Sequence, residues 1–187
     1  MAKLAGRIID GTTGAPVEAR VQVIDAGGAF VHPRDALLKV GSGEPFFYCA
    51  GDFSVEVTRG LTQVLVERGT EYSPARRSVY VPGQGVVTVD ITLERWSGLS
   101  TLGWHPGNTH IHYDEKEKRP DERLRLDPRV EDLRLTAISL LKRWELPYAS
   151  NKYPAGGQEG CSVAISRCTH TARRAKRPGS RVIDLSC

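Results

Sequence analysis

The sequence predicts a mainly β chain: an antiparallel β-sandwich over residues 3–95, an incomplete α/β segment over 96–156, and an irregular tail over 157–187. Three observations carry this. Short stretches of strict apolar–polar alternation fill the first half, cut by Gly and Pro. A strand-like run, a charged helical run and a second apolar run follow in that order. After them, regular patterning stops.

Within the first segment, residues 4–9 form one alternating run, and Gly11-Thr12-Thr13-Gly14-Ala15-Pro16 closes it as a turn cluster. Residues 19–24 follow, with Ala19, Val21 and Val23 on one face. Residues 52–57 alternate cleanly and direct Phe53, Val55 and Val57 inward. Further strands are expected at 63–67, 78–81 and 86–93, the last with Val87, Val89, Ile91 and Leu93 as its apolar face. Such a series of short strands, with turn signals between them, points to a sandwich with a modest core. Residues 32–45 interrupt the series and read as a surface excursion, with a binding loop as the alternative.

In the second segment, Gly103-Trp104-His105-Pro106-Gly107-Asn108-Thr109-His110-Ile111-His112 reads as a turn leading into a strand. Side chains two apart on a strand share a side, so the imidazoles of His110 and His112 can converge on one divalent cation. They are the candidate metal ligands. Two ordinary surface or core histidines remain the alternative. Residues 114–134 hold eight acids and seven bases, a solvated loop and helix face rather than a carboxylate cluster. Asp127 followed by Pro128 predicts a helix start, with a short helix over 128–134. Residues 135–141 read as a buried strand, although the pattern also suits a longer helix. Strand, helix and strand make a βαβ unit of a parallel sheet, which places ligands at the carboxyl ends of strands.

The formal net charge of +4 is concentrated at one end. Residues 160–187 hold six bases against one acid, whereas the remaining 159 residues hold 20 bases and 21 acids. A protein-wide nucleic-acid surface is therefore not indicated. No apolar run reaches the length of a membrane span. The start, Met1-Ala2-Lys3-Leu4-Ala5-Gly6-Arg7, lacks the apolar core of a secretory signal, so a cytoplasmic setting is expected and a disulfide framework is not. Three readings of the tail compete: a zinc site from Cys161, Cys168, His170 and Cys187; a basic nucleic-acid tail; and an out-of-frame or truncated gene end. The third is preferred, because the composition turns abruptly to Arg, Ala, Ser and Cys.

Two resemblances sharpen these expectations. The runs Gly6-Arg7-Ile8-Ile9-Asp10, Thr13-Gly14-Ala15-Pro16-Val17 and Gly51-Asp52-Phe53-Ser54-Val55, with the closing strand 86–93, resemble carboxypeptidase-regulatory-like domains, which are transthyretin-like, Ig-type sandwiches. The runs Gly107-Asn108-Thr109-His110-Ile111-His112 and Glu131-Asp132-Leu133-Arg134, with Arg143-Trp144-Glu145-Leu146-Pro147-Tyr148, resemble the opening of a PHP-type metallohydrolase domain, in its carbaryl-hydrolase-like branch. The resemblance implies that His110 and His112 are the first metal ligands, with Zn, Mn or Fe as the divalent metal and a small molecule as substrate. Asn108 departs from the Asp that many members carry there, and that Asp helps orient the histidines. The further acidic and histidine ligands of the family have no matching pattern after Pro154. The expected function is thus the N-terminal fragment of a metal-dependent hydrolase, weakly metal-binding and inactive as this chain. A non-catalytic Ig-like binding module with a basic tail is the alternative. Oligomeric state is left open by the sequence.

Overall fold

The computed structural model describes residues 2–39, 42–111, 119–139 and 180–184. The chain is mainly β and divides into two compact units: Met1–Gly98 with Arg129–Asp132, and Leu99–Pro128 with Leu133–Cys187. Among the described residues no helix is long and apolar enough to cross a membrane.

The first unit is built from two facing sheets. One has the order β5 (Asp52–Val57), β1 (Ala2–Asp10), β8 (Gly85–Leu93). The other runs β3 (Leu37–Leu38), β4 (Phe47–Cys49), β2 (Ala19–Ile24), β6 (Gly60–Glu67), β7 (Ala75–Val81). Alternation fixes which side chains turn inward. Leu4 and Ile8, Val55 and Val57, and Ile91 and Leu93 from the first sheet pack with Val21 and Val23, Phe47, Val64 and Val66 from the second. Phe47 and Phe53 meet edge to face at 5.6 Å between ring centroids. Gly6 stands opposite Phe53 in the β1–β5 register, and a Cβ there would collide with the Phe53 ring. The inner face expected for β8 is observed, with Ile91 and Leu93 fully buried and Val87 and Val89 half-buried against the core.

Two features of this unit depart from the sequence reading. The sandwich is not wholly antiparallel, because β1 pairs with β8 in parallel, from Ala2 opposite Gly85 to Asp10 opposite Leu93. Pairing between the first and last strands is decided by where the intervening chain returns, which no local pattern encodes. The stretch 32–45 is also more than a surface excursion. It contributes the edge strand β3, which pairs with β4, and buries Leu37, and Phe46 is buried directly after it. The apolar side chains of that stretch are too few and too unevenly spaced to show a period.

In the second unit, β9 (Gly107–Ile111), all but the last two residues of α1 (Pro120–Val130) and β10 (Leu135–Ser139) follow one another, and β10 lies parallel to β9. The helix begins earlier than expected. Pro120 takes the first helical position, where its missing N–H costs nothing, and the Arg119 carbonyl accepts from Arg123 N–H at 3.0 Å. Pro128 therefore lies inside the helix, near its end, rather than at its start. Two bonds close the C-terminus: Asp132 N–H to the Arg129 carbonyl at 3.1 Å, and Leu133 N–H to the Pro128 carbonyl at 2.7 Å. With Asp132 at φ 53°, this is a Schellman cap using Asp in place of the usual Gly. The tail, expected to be irregular, contributes β11 (Ser180–Asp184), antiparallel to β10 and at the sheet's other side from β9. Its five residues, Ser-Arg-Val-Ile-Asp, are too short to display a period, although Val182 and Ile183 suit a strand.

Candidate functional site

Strand β9 is positioned by its start. The Pro106 carbonyl accepts from Arg134 N–H at 2.9 Å, which brings the beginning of β10 alongside. Gly107 then lies against Leu135, and a Cβ there would meet the Leu135 side chain at 3.2 Å and its carbonyl at 3.3 Å. A glycine is what lets the two backbones approach so closely. Asn108 stands opposite Thr136 and Ile111 opposite Ile138, with an irregularity between the two pairs. The carboxyl ends of both strands therefore point the same way, and the chain after β9 leads to α1. His110 is the fourth residue of β9. His112, the other candidate metal ligand, lies outside the described residues, as do Cys161, Cys168, His170 and Cys187. Among the described residues, no three His, Cys, Asp or Glu side chains gather as a metal cluster would require.

Two imidazoles, wherever they meet, suit a borderline divalent cation such as zinc. A hydrolytic centre holds three protein ligands and keeps one position open for water. The donor set read from the chain thus fits part of such a centre, and no catalytic step is derived from it.

Among the described residues, the densest polar cluster lies elsewhere, in the first unit. Tyr72 donates its hydroxyl hydrogen to Asp10 at 2.6 Å and accepts from Arg95 at 3.0 Å. Arg95 also donates to Asp132 at 2.7 Å and pairs with Glu71. Arg68 reaches the second oxygen of Asp132 at 2.9 Å. The Arg95 guanidinium stacks 4.3 Å from the Tyr72 ring centroid, and that of Arg68 lies at 5.4 Å. Arg20 joins Glu67 and Glu131, both at 2.9 Å. Burial works to raise the Asp10 pKa, but hydrogen bonds from Tyr72 and from the amides of Thr13 and Thr12 outweigh it and hold the carboxyl below its ordinary value. Burial opposes the Arg95 charge, and Asp132 more than restores it, so its pKa is raised. Each side chain in this network is engaged by another, although the buried Arg68 Nε has no hydrogen-bond partner among the described residues, and the mutual pairing makes it a structural brace rather than a reactive centre. Asp10, Glu131 and Asp132 fall in stretches read for other reasons, and nothing in the sequence marks these residues, spread from Asp10 to Asp132, as one cluster.

A pocket of about 550 Å³ opens on the first unit, with Lys3, His32, Arg34 and Glu56 among its lining residues. The only sequence signal for it was the His32-Pro33-Arg34 stretch inside the interrupting loop.

No protein-family model and no curated protein matches the chain. Among solved structures, a similarity is found to the crystal structure of GBS52, the minor pilin of the Gram-positive pathogen Streptococcus agalactiae, at 14% identity and a TM-score of 0.33. The match covers 50% of this chain and 43% of the pilin chain.

Proposed function

We propose that this chain is the N-terminal portion of a metal-dependent hydrolase of the PHP-type, carbaryl-hydrolase-like branch. In this reading the sandwich is of the carboxypeptidase-regulatory-like, Ig-type class, and β9, α1 and β10 are the opening of the metal domain. His110 and His112 donate the first two imidazoles to a divalent cation (Zn, Mn or Fe), each as a neutral ring. When bound, such a cation supplies Lewis acidity and an acidified water for attack on an ester, phosphoester or amide. The observation that supports the reading is the parallel β9–β10 pair joined through α1, with His110 next to the carboxyl end of its strand. With two imidazoles as the donor set, the chain binds metal weakly and does not turn over substrate by itself. The intended substrate is a small molecule, not nucleic acid or a membrane. A cytoplasmic setting suits Cys49, which is buried as a free thiol.

Zinc titrated into the full chain tests the first claim. One weakly bound equivalent is expected, and it should be lost on replacing both His110 and His112 with Ala. Equal binding by the chain and the double variant would defeat the assignment. Metal-dependent turnover of a generic ester or phosphodiester, abolished by His110→Ala, would defeat the claim that the chain is inactive.

A second reading, a non-catalytic β-sandwich binding module, is favoured by one observation: the pocket beside Lys3 and Arg34.

A further inference from the structure

The pocket on the sandwich is built by a tight hairpin rather than by a loose loop. The Asp25 carboxylate accepts from the amides of Gly27 and Ala29, each at 2.9 Å, and from the Thr58 hydroxyl at 2.8 Å. These bonds, the Ala29 amide foremost, hold its pKa below the ordinary value. Gly28, at φ 81°, completes the turn. The chain then returns along β2: Phe30 bridges to Ile24, and Val31 N–H donates to the Val23 carbonyl at 2.9 Å. Phe30 packs 6.5 Å from the core ring of Phe47 and 5.5 Å from the His32 ring. One wall of the pocket is therefore fixed to the core. His32 Nδ1 donates to the Pro33 carbonyl at 2.9 Å, which leaves Nε2 uncommitted. The opposite wall comes from Lys3 on β1 and from Ser54 and Glu56 on β5, an end strand of its sheet.

Arg7, on the same strand as Lys3, is paired with Asp90 at 2.8 Å, and Arg20 with Glu67 at 2.9 Å. Lys3 and Arg34 have no ion pair among the described residues. Glu56 faces Lys3 across the β1–β5 register, also without an ion pair, and it is the only carboxylate lining the pocket. Two basic side chains, a hydroxyl donor at Ser54 and a face made of the Phe30 and His32 rings meet in a volume of about 550 Å³, the size of a small-ligand site.

We propose that this pocket binds a small organic carboxylate with a flat apolar body. Lys3 and Arg34 hold the carboxylate, and the Phe30 and His32 rings hold the body. The proposal is independent of the metal reading and uses no residue of it.

Phenylacetate titrated into the full chain, followed by backbone amide NMR, is the test. Saturable shifts are expected at Phe30, His32 and Ser54. 2-Phenylethanol, of the same shape without the charge, should bind at least about tenfold more weakly, and the combined Lys3→Gln and Arg34→Gln variant should weaken phenylacetate about as much. Glu56→Gln should tighten it, by removing the one opposing charge. All three side chains are exposed, so these variants keep the sandwich core intact, and their melts check this. Equal binding of the alcohol overturns the proposal. So does inorganic phosphate shifting the same amides as strongly, which would mark a general anion patch. The absence of any saturable shift overturns it as well.

Discussion

The Arg95 guanidinium and the Asp132 carboxylate meet at 2.7 Å across 37 residues of sequence. The second oxygen of the same carboxylate takes Arg68 at 2.9 Å. Removing the Asp132 charge leaves two mostly covered guanidiniums without their shared partner. Asp132→Asn should lower sandwich stability by about 2 kcal/mol, since hydrogen bonds to charged groups are the stronger class. Asn tolerates the left-handed backbone that Asp132 adopts, so the loss reads the charge and not the turn. Urea unfolding measures it. A change below about 0.5 kcal/mol would show the bridge to be idle.

Acid should weaken the Asp10–Tyr72 bond in a defined direction. The Asp10 pKa is depressed below its ordinary 3.8 in the folded chain, so its stabilisation is complete above that value and is lost as pH falls through the folded value. Tyr72→Phe removes the buried donor and should cost about 1–2 kcal/mol at neutral pH. The gap between the two proteins should narrow below pH 3.8. Melting curves from neutral pH down to the acid range would show this. A gap that is constant, or wider in acid, would rule out this account of Asp10.

Gly6 makes room for the ring of Phe53. Gly6→Ala should destabilise by about 1–3 kcal/mol, the usual cost of overpacking a filled core. Adding Phe53→Leu should make the Gly6→Ala step less costly than it is beside Phe53, because the colliding ring is gone. Denaturant midpoints of the four members of that cycle decide it. Strict additivity would mean that the two side chains do not compete for the same space.

Cys49 should be chemically silent in the folded chain. Burial pushes its thiol up from 9.0 to about 11, and the residue is 7% exposed. In a variant with Ser at positions 161, 168 and 187, iodoacetamide at about pH 8 should label Cys49 only after denaturation. Prompt labelling under native conditions would show that this end of the core opens readily.

What the sequence disclosed follows the range over which each signal acts. The strand at 52–57 was read to the residue, because alternation of Phe53, Val55 and Val57 is a local consequence of burial on one face. The placement of His110 on a strand was legible from the turn residues just before it. The partner of β1 was not, since β8 lies more than seventy residues further along and its parallel register leaves no local mark. The helix was misplaced because two prolines competed as its start, and Pro128 stood behind a better-looking cap than Pro120 did. The pocket depends on Lys3, Arg34 and Glu56 meeting from three separate segments, and each reads alone as an ordinary surface charge.

The short stretch Arg129–Asp132 groups with the strands of residues 1–98 and not with the residues on either side of it. Gene fusion and domain shuffling work best where a cut severs few contacts. A break at the apparent linker after Arg95 would part Arg20, Arg68 and Arg95 from Glu131 and Asp132. The sandwich is therefore a poor interchangeable part. A recombinant partner that does not bring its own acidic turn leaves Arg20 with Glu67, Arg68 with Glu18 and Arg95 with Glu71 alone, each one carboxylate poorer than before. The four residues work as a password that restricts which downstream sequences can be joined to it.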